Sequence, residues 1–371
     1  MYFSPFLLGK VCVKMLGISI YLSNQSTTNQ ESYIKKMHRL GFRSIFTSLH
    51  IPEDDPSTYK ENLFALGKLA LRYNMDLICD ISPTSMDYLG YPLENAHELK
   101  KYGITGLRVD YGVKEETIAN LSHKMAVVLN ASTITEENLE QLRKYNANFS
   151  SIEAWHNYYP RPETGLALDD FNEKNRWLTS EGIKVMAFIP GDGEKRGPLF
   201  EGLPTIEAHR GQSSFSAFLE FENNKWVDKI LISDPLISWE SEKQFAKYTE
   251  EGVALLRATY LGGDPLIKKR LQTKQTNRQD AARDVIRSAE SRLYGLIGHN
   301  PVEVENTIER KVGSITVDNV KYGRYQGEIQ ITKRDLPADG KVNVIGRIVE
   351  EDRALLPYIR GGMGFQIEWI G

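Results

Sequence analysis

A chain of 371 residues is longer than one hydrophobic core usually covers, so its length favours two domains, one of them large. Hydrophobic residues at 41%, charged residues at 26% and a net charge of -3 describe an ordinary globular protein, and no basic block offers a polyanion surface, which argues against a nucleic-acid partner. The two cysteines, Cys12 and Cys79, lie far apart in apolar contexts and form neither a disulfide framework nor a metal cluster, and no run is long and apolar enough to span a membrane.

The opening MYFSPFLLGKVCVK is apolar but has no basic leader, long apolar region or small-residue cleavage site, so it does not read as a signal peptide, and a cytoplasmic protein is expected. Met15 begins a convincing strand, and residues 1–14 are expected to be a start-site extension outside the fold. From there, eight short runs rich in Val, Ile, Leu and Phe follow in order: LGISIYL, SIFTSLH, DLICDIS, GLRVDYG, MAVVLNA, SIEAWHN, VMAFIPGD and KILISDP. Amphipathic stretches separate them, among them QESYIKKMHRLG, YKENLFALGKLALRYN, TEENLEQLRKYN and DFNEKNRWLTSEG, several closing on Gly or Asn where a helix C-cap belongs. Strand and helix alternating eight times predict a (β/α)8 TIM barrel over residues 15–250. An open doubly wound sheet would announce itself with a glycine-rich first turn, and YLSNQSTTNQ is not one.

Beyond residue 250 the pattern changes. VALLRATYL reads as a strand, RQDAARDVIRSAESRL as a polar helix, and GSITVDNV, GEIQITKRDLP, KVNVIGRIVE and MGFQIEWIG as short strands of a small antiparallel barrel or sandwich over residues 251–371.

Barrels of this kind work at the C-terminal ends of their strands, so the polar residues that close each run are the candidates. They are Ser23 and Asn24, His50, Asp80, Asp110, Asn130, Glu153 with His156 and Asn157, Asp192, and Asp234. Asp80 and Asp234 can equally cap the turns that follow them. There is no nucleotide cradle and no His-x-His on the first strand, so no cofactor and no metal is expected. Carboxylates beside amides and aromatics suit sugar chemistry, in which one acid protonates the leaving oxygen while another group handles the anomeric carbon. The loop SIEAWHNYYPRPETGL gathers Glu153, His156, Asn157, Tyr158, Tyr159 and Arg161, the makings of a sugar-binding floor. The connection IPGDGEKRGPLFEGLPTIEAHRG offers Lys195, Arg196, His209 and Arg210 to an anion, with LPTIEAHR, which contains Glu207, as a short phosphate-binding helix; a solvated glycine-rich connection is the plainer alternative. In YGRYQGE, Arg324 and Tyr325 sit on a glycine-flanked turn that is either a plain hairpin or a contribution to a ligand site.

With MLGISIYLS, TSLHIPED, GLRVDYG, EAWHNYYPRPETGL, FIPGDGEKRGPLFEGLPTIEAHR, ILISDP and DNVKYGRYQGEIQI in this order, the chain resembles the 6-phospho-N-acetylmuramidases of glycoside hydrolase family 170, from Met15 to Gly371. The resemblance implies a (β/α)8 barrel followed by a cyclophilin-like β domain. It also implies an intracellular enzyme of cell-wall recycling that splits a small phosphorylated amino-sugar disaccharide, N-acetylmuramic acid 6-phosphate joined β-1,4 to N-acetylglucosamine. The resemblance carries over no catalytic assignment; among the strand-end carboxylates Glu153 is expected as general acid and Asp110 as nucleophile or base, with Asp80 as the reserve carboxylate. His156, Asn157, Tyr158 and Arg161 are expected on substrate hydroxyls, acetamido or lactyl groups, and Arg196 and His209 on the phosphate. His50, Asn130, Asp192, Glu207, Arg324 and Tyr325 complete the expected binding residues. The readings that compete are a phosphosugar-binding protein without catalysis and a metal-dependent phosphosugar isomerase or aldolase.

Overall fold

The computed structural model describes residues 13–22, 27–49, 59–109, 112–292 and 300–370. The chain forms two compact units, one spanning Val13–Trp239 and one that takes in Glu240–Gly371.

In the first unit, strands β1 (Met15–Ser19), β2 (Ser44–Ser48), β3 (Asp76–Ile81), β4 (Gly106–Val109), β5 (Ala126–Asn130), β6 (Ile152–Trp155), β7 (Lys184–Ile189) and β8 (Lys229–Ile232) close into a barrel in chain order. Every neighbouring pair is parallel, and β8 returns to β1 with Leu16 opposite Ile230 and Ile18 opposite Ile232. Strands in such a sheet are covered on both faces, which is why they read as nearly continuous apolar runs. Helices α1 (Thr27–Arg39), α2 (Tyr59–Arg72), α3 (Pro83–Leu89), α4 (Glu115–Ser122), α5 (Glu136–Lys144), α6 (Leu168–Ser180) and α7 (Ser214–Asn223) connect them. The stop signals work as the sequence implies. Asn74, Asn146 and Gly182 follow α2, α5 and α6 with φ of 48°, 55° and 77°, the left-handed turn that ends a helix. At its start, α5 has a reciprocal cap in which the Thr135 hydroxyl accepts from Asn138 N while Asn138 Oδ1 accepts from Thr135 N.

Side chains alternate along each strand, so every second residue fills the barrel. Phe46, Ile78, Val128, Trp155, Met186, Phe188 and Leu231 form its middle. Burying each of the aromatic members contributes roughly 2–3 kcal/mol. Gly17 is small for a packing reason, because a Cβ there would lie 2.7 Å from Leu231 and 2.8 Å from the Ser44 carbonyl. Beneath this layer, at the end where the strands begin, Lys229 Nζ meets Glu153 Oε1 at 2.7 Å, and Trp155 Nε1 donates to Glu153 Oε2 at 2.9 Å. Lys229 is the first residue of β8, and Glu153 stands opposite Lys184, the first residue of β7. Glu153 is therefore not a residue that closes its strand, as expected from the sequence; it is the second residue of β6 and belongs to the barrel floor, where residues serve stability.

After α8 (Trp239–Glu251), the second unit is a seven-stranded sheet made of β9 (Val253–Tyr260), β10 (Gln275–Thr276), β11 (Val285–Arg287), β12 (Ser314–Asp318), β13 (Ile329–Thr332), β14 (Val342–Ile348) and β15 (Gly364–Trp369), in the order β10-β15-β9-β14-β12-β13-β11. Among the described residues two short helices, α9 (Pro265–Leu271) and α10 (Glu350–Arg353), accompany it. The sheet is mixed where an antiparallel one was expected, because the last strand, β15, runs parallel to the first, β9. The stretch read as a polar helix, RQDAARDVIRSAESRL, instead yields β11 and its flanking turns. Ile286, fully buried, takes its place opposite Ile331 on β13, and ladder pairing overrides the helical spacing of the apolar residues. Among the described residues no helix is long and apolar enough to cross a membrane.

The floor pair generates a stability prediction. Lys229→Met strands a carboxylate inside the barrel and is expected to cost about 3 kcal/mol in urea unfolding, whereas Lys229→Met with Glu153→Leu should recover most of that loss. Equal loss in the single and double variants would show that the charges are not paired in the folded protein.

Candidate active site at the barrel mouth

The alternation that points Ile78 inward also points Asp80 inward, one layer nearer the C-terminal mouth. On the next strand a Cβ on Gly106 would meet Ile78, so Gly106 faces the interior and Arg108, two residues on, does too. The Arg108 guanidinium donates from Nη1 to Asp80 Oδ1 at 2.9 Å and from Nη2 to Asn157 Oδ1. Ser48, the last residue of β2, donates its hydroxyl to Asp80 Oδ2 at 3.1 Å. The two charged side chains are well enclosed, 5% exposed for Arg108 and 16% for Asp80.

Two tyrosines and a second arginine form the other part of the mouth. Arg196, on the connection after β7, donates from Nη1 to the Tyr158 hydroxyl at 3.1 Å, and its guanidinium carbon lies 4.4 Å from the centroid of the Tyr21 ring. Tyr21 donates its own hydroxyl to the Ser233 carbonyl, and Tyr158 meets Phe188 edge-on at 5.2 Å. Burial is the first cause that pushes both phenols up, Tyr21 the further, so each remains a neutral group at neutral pH.

Three carboxylates hold this rim in shape. Asp234, fully buried, accepts the backbone N–H groups of Gly191, Arg196 and Leu203 at 2.9, 3.1 and 3.1 Å; its burial raises its pKa and those three bonds oppose the rise. Asp234 therefore shapes the distant connection after β7, where the sequence suggested a cap on the turn that follows it. Asp192 accepts from the backbone and hydroxyl of both Ser214 and Ser238, tying the start of α7 to the segment after β8. Glu207 accepts the N–H groups of Glu163 and Gly165 at 2.9 and 2.8 Å and pairs with Arg210, which together with those backbone bonds holds its carboxyl at about 2. Arg210 continues to the Gly202 and Tyr159 carbonyls, both at 2.9 Å, so the loop after β6 and the connection after β7 are stitched together. Gly165 belongs to this stitch, since a Cβ there would stand 2.6 Å from Glu207 Oε2.

The structure gathers Asp80, Asn157, Tyr158 and Arg196 from the expected residues. It places others elsewhere. His156 follows an inward-facing Trp155 and so points outward, where Nε2 meets Asn175 Oδ1 on α6 at 2.6 Å; burial lowers its pKa to about 4. His209 is buried against Phe221, and its Nε2 is taken up by the Glu220 carboxylate on α7 at 3.0 Å, where a phosphate contact was expected. The expected phosphate-binding helix is a single 3-10 turn, Glu207–His209, whose first N–H is taken by the Leu166 carbonyl. Asn130 closes β5, accepts from Ser132 N at 2.9 Å, and lines a cavity of about 200 Å³ with Val109, Glu115 and Asn138. Arg161 is exposed, and among the described residues its guanidinium makes no hydrogen bond. Arg324 lies in the second unit, stacked 4.8 Å from the Tyr325 ring and donating to its hydroxyl at 2.7 Å. His50, Asp110, Ser23 and Asn24 lie outside the described residues. Among the described residues no three His, Cys, Asp or Glu side chains come together as metal ligands. Sequence reading missed Arg108, Ser48 and Tyr21, although alternation places Arg108 on the same face as Asp110 in GLRVDYG.

A closed parallel barrel with an ion pair, an amide and an aromatic-backed arginine at its C-terminal mouth is the architecture of a (β/α)8 enzyme. Two family models match the chain, the 6-phospho-N-acetylmuramidase N-terminal model over residues 16–247 and the C-terminal model over residues 261–368. The chain belongs to the 6-phospho-N-acetylmuramidase family, and its class of activity is that of a glycosidase. Among solved structures it is similar to a conserved Enterococcus faecalis protein described as having an unknown function, with 45% identity, coverage of 96% of this chain and 97% of the other, and a TM-score of 0.88. It is also similar to an uncharacterized B. cereus protein at 25% identity, covering 96% and 99% of the two chains, with a TM-score of 0.75. No curated protein gives a match.

His156 provides a pH test of this packing. With a folded pKa of about 4 against an ordinary 6.5, the unfolded chain binds the extra proton first as pH falls. The stability tied to the neutral imidazole is present above pH 6.5 and lost toward pH 4, on the order of 3 kcal/mol. Urea titrations should therefore show stability falling less steeply over that window in His156→Asn than in wild type, and parallel profiles would rule the effect out.

Proposed function

We propose that the protein is an intracellular hydrolase that cleaves the β-1,4 bond between N-acetylmuramic acid 6-phosphate and N-acetylglucosamine, a step in recycling cell-wall fragments. The observation that carries this reading is the mouth itself, in a chain of this family: an enclosed carboxylate, Asp80, shares it with a cation, Arg196, stacked on the Tyr21 ring and bonded to the Tyr158 hydroxyl. Water adds to the anomeric carbon, the glycosidic carbon–oxygen bond breaks, and the leaving oxygen takes a proton from an acid. Asp80 serves the anomeric side, and Asp110, two residues after Arg108 in the chain, is the proposed second carboxylate. Glu153 gives up the acid role expected of it, because its carboxyl is committed to Lys229 and Trp155 on the floor. Arg196 takes the 6-phosphate through charge-assisted hydrogen bonds, Tyr21 and Tyr158 give the sugar an aromatic wall, and Asn157 offers an amide to its polar groups.

The test is turnover of this disaccharide beside its unphosphorylated twin. Wild type should cleave only the phosphorylated sugar, and Asp80→Asn should lower kcat by about 10³-fold. Arg196→Gln should raise KM for the phosphorylated sugar by roughly 10- to 100-fold with a smaller change in kcat. A wild-type enzyme that leaves both sugars intact would overturn the reading.

A further inference from the structure

We propose that Arg108 is the positioning residue of the mouth: it holds Asp80 as a hydrogen-bond acceptor and turns Asn157 so that the amide nitrogen, not the oxygen, is presented to the sugar. The inference rests on the hydrolase reading above and deepens it.

A guanidinium has donors only, so the atom of Asn157 that meets Nη2 has to be the carbonyl oxygen Oδ1. This settles a choice that an asparagine side chain otherwise leaves open. The amide nitrogen then points away from Arg108, and among the described residues it donates to no protein acceptor. A donor held in this way selects an acceptor, and the acetamido carbonyl of the proposed substrate is one such group. The same guanidinium occupies Asp80 Oδ1 while the Ser48 hydroxyl occupies Oδ2. Both carboxylate oxygens receive donors, which suits a group that stabilises positive charge at the anomeric carbon. The proton for the leaving oxygen has to come from elsewhere.

Arg108 is also poorly arranged for stability alone. Its Nε is buried with no partner, and replacing a buried ion pair by packed apolar side chains is often neutral or stabilising. A planar fork reaching two acceptors, one on β3 and one on the loop after β6, is what lysine cannot supply. The geometry is therefore explained by what it orients.

The experiment compares wild type, Arg108→Ala, Arg108→Lys, Asn157→Ala and the Arg108→Ala/Asn157→Ala double variant on the phosphorylated disaccharide, with thermal melts alongside. Arg108→Ala should lose at least about 10²-fold in kcat, more than KM rises, as expected when reacting groups are misplaced by about an ångström. Millimolar guanidinium should restore part of that rate in Arg108→Ala and none in Arg108→Lys. The double variant should be little worse than Arg108→Ala, because Asn157 is already unoriented once Arg108 is gone. Where Arg108→Ala does not fold, the decision passes to Arg108→Lys, which should fold and show the same kcat loss. Wild-type kcat in either folded Arg108 variant, or additive losses with no rescue by guanidinium, would overturn the positioning role while leaving the hydrolase reading intact. Absence of wild-type turnover would overturn both.

Discussion

A closed barrel excludes water from its interior, so any charge carried into it needs a counter-charge within reach of the same layer. Isolated burial of an ion costs several kcal/mol even after the surroundings relax, which no single aromatic contact offsets. This constraint organises the first unit. Lys229 and Glu153 satisfy it at the floor, Arg108 and Asp80 at the mouth, and a layer of aromatic and aliphatic side chains separates the two pairs. The floor pair keeps its end of the barrel closed and packed. The mouth pair leaves Asn157 and the Arg196 cluster beside an acid, and this difference in surroundings separates a structural charge from a chemical one.

The rim is organised by a second use of carboxylates. Asp234, Asp192 and Glu207 spend their oxygens on backbone amides, serine hydroxyls and Arg210, so they set loop shape and have little left for a ligand. Acids that look alike in sequence therefore separate into frame and reagent once their donors are counted. Asp80 stands out because its donors come from side chains on neighbouring strands and the loop amide Asn157 shares its arginine.

Much of the architecture could be read from residue order alone. Parallel strands buried on both faces give uninterrupted apolar runs, and Asn74, Asn146 and Gly182 mark helix ends by a backbone conformation few other residues accept. What residue order conceals is depth along a strand and the identity of distant partners. Glu153 looked like a strand-ending acid because a charge interrupts IEAW, yet Lys229, from a strand two places round the barrel, is what allows it to sit inside. His156 and His209 carried the right chemistry and the wrong direction; for His156, alternation after Trp155 already implied an outward side chain. In the second unit, β11 formed against helical spacing because its partner strand lies far along the chain, and β15 runs parallel to β9 for the same kind of reason.

The stitch between the loop after β6 and the connection after β7 has a consequence for how such a mouth can diversify. Because Glu207 and Arg210 bind backbone groups of the other segment, either loop loses its shape without its counterpart. The unit of inheritance at this mouth is then the pair, and a graft meant to transplant sugar preference onto another barrel would have to carry both loops, with Gly165 at their crossing.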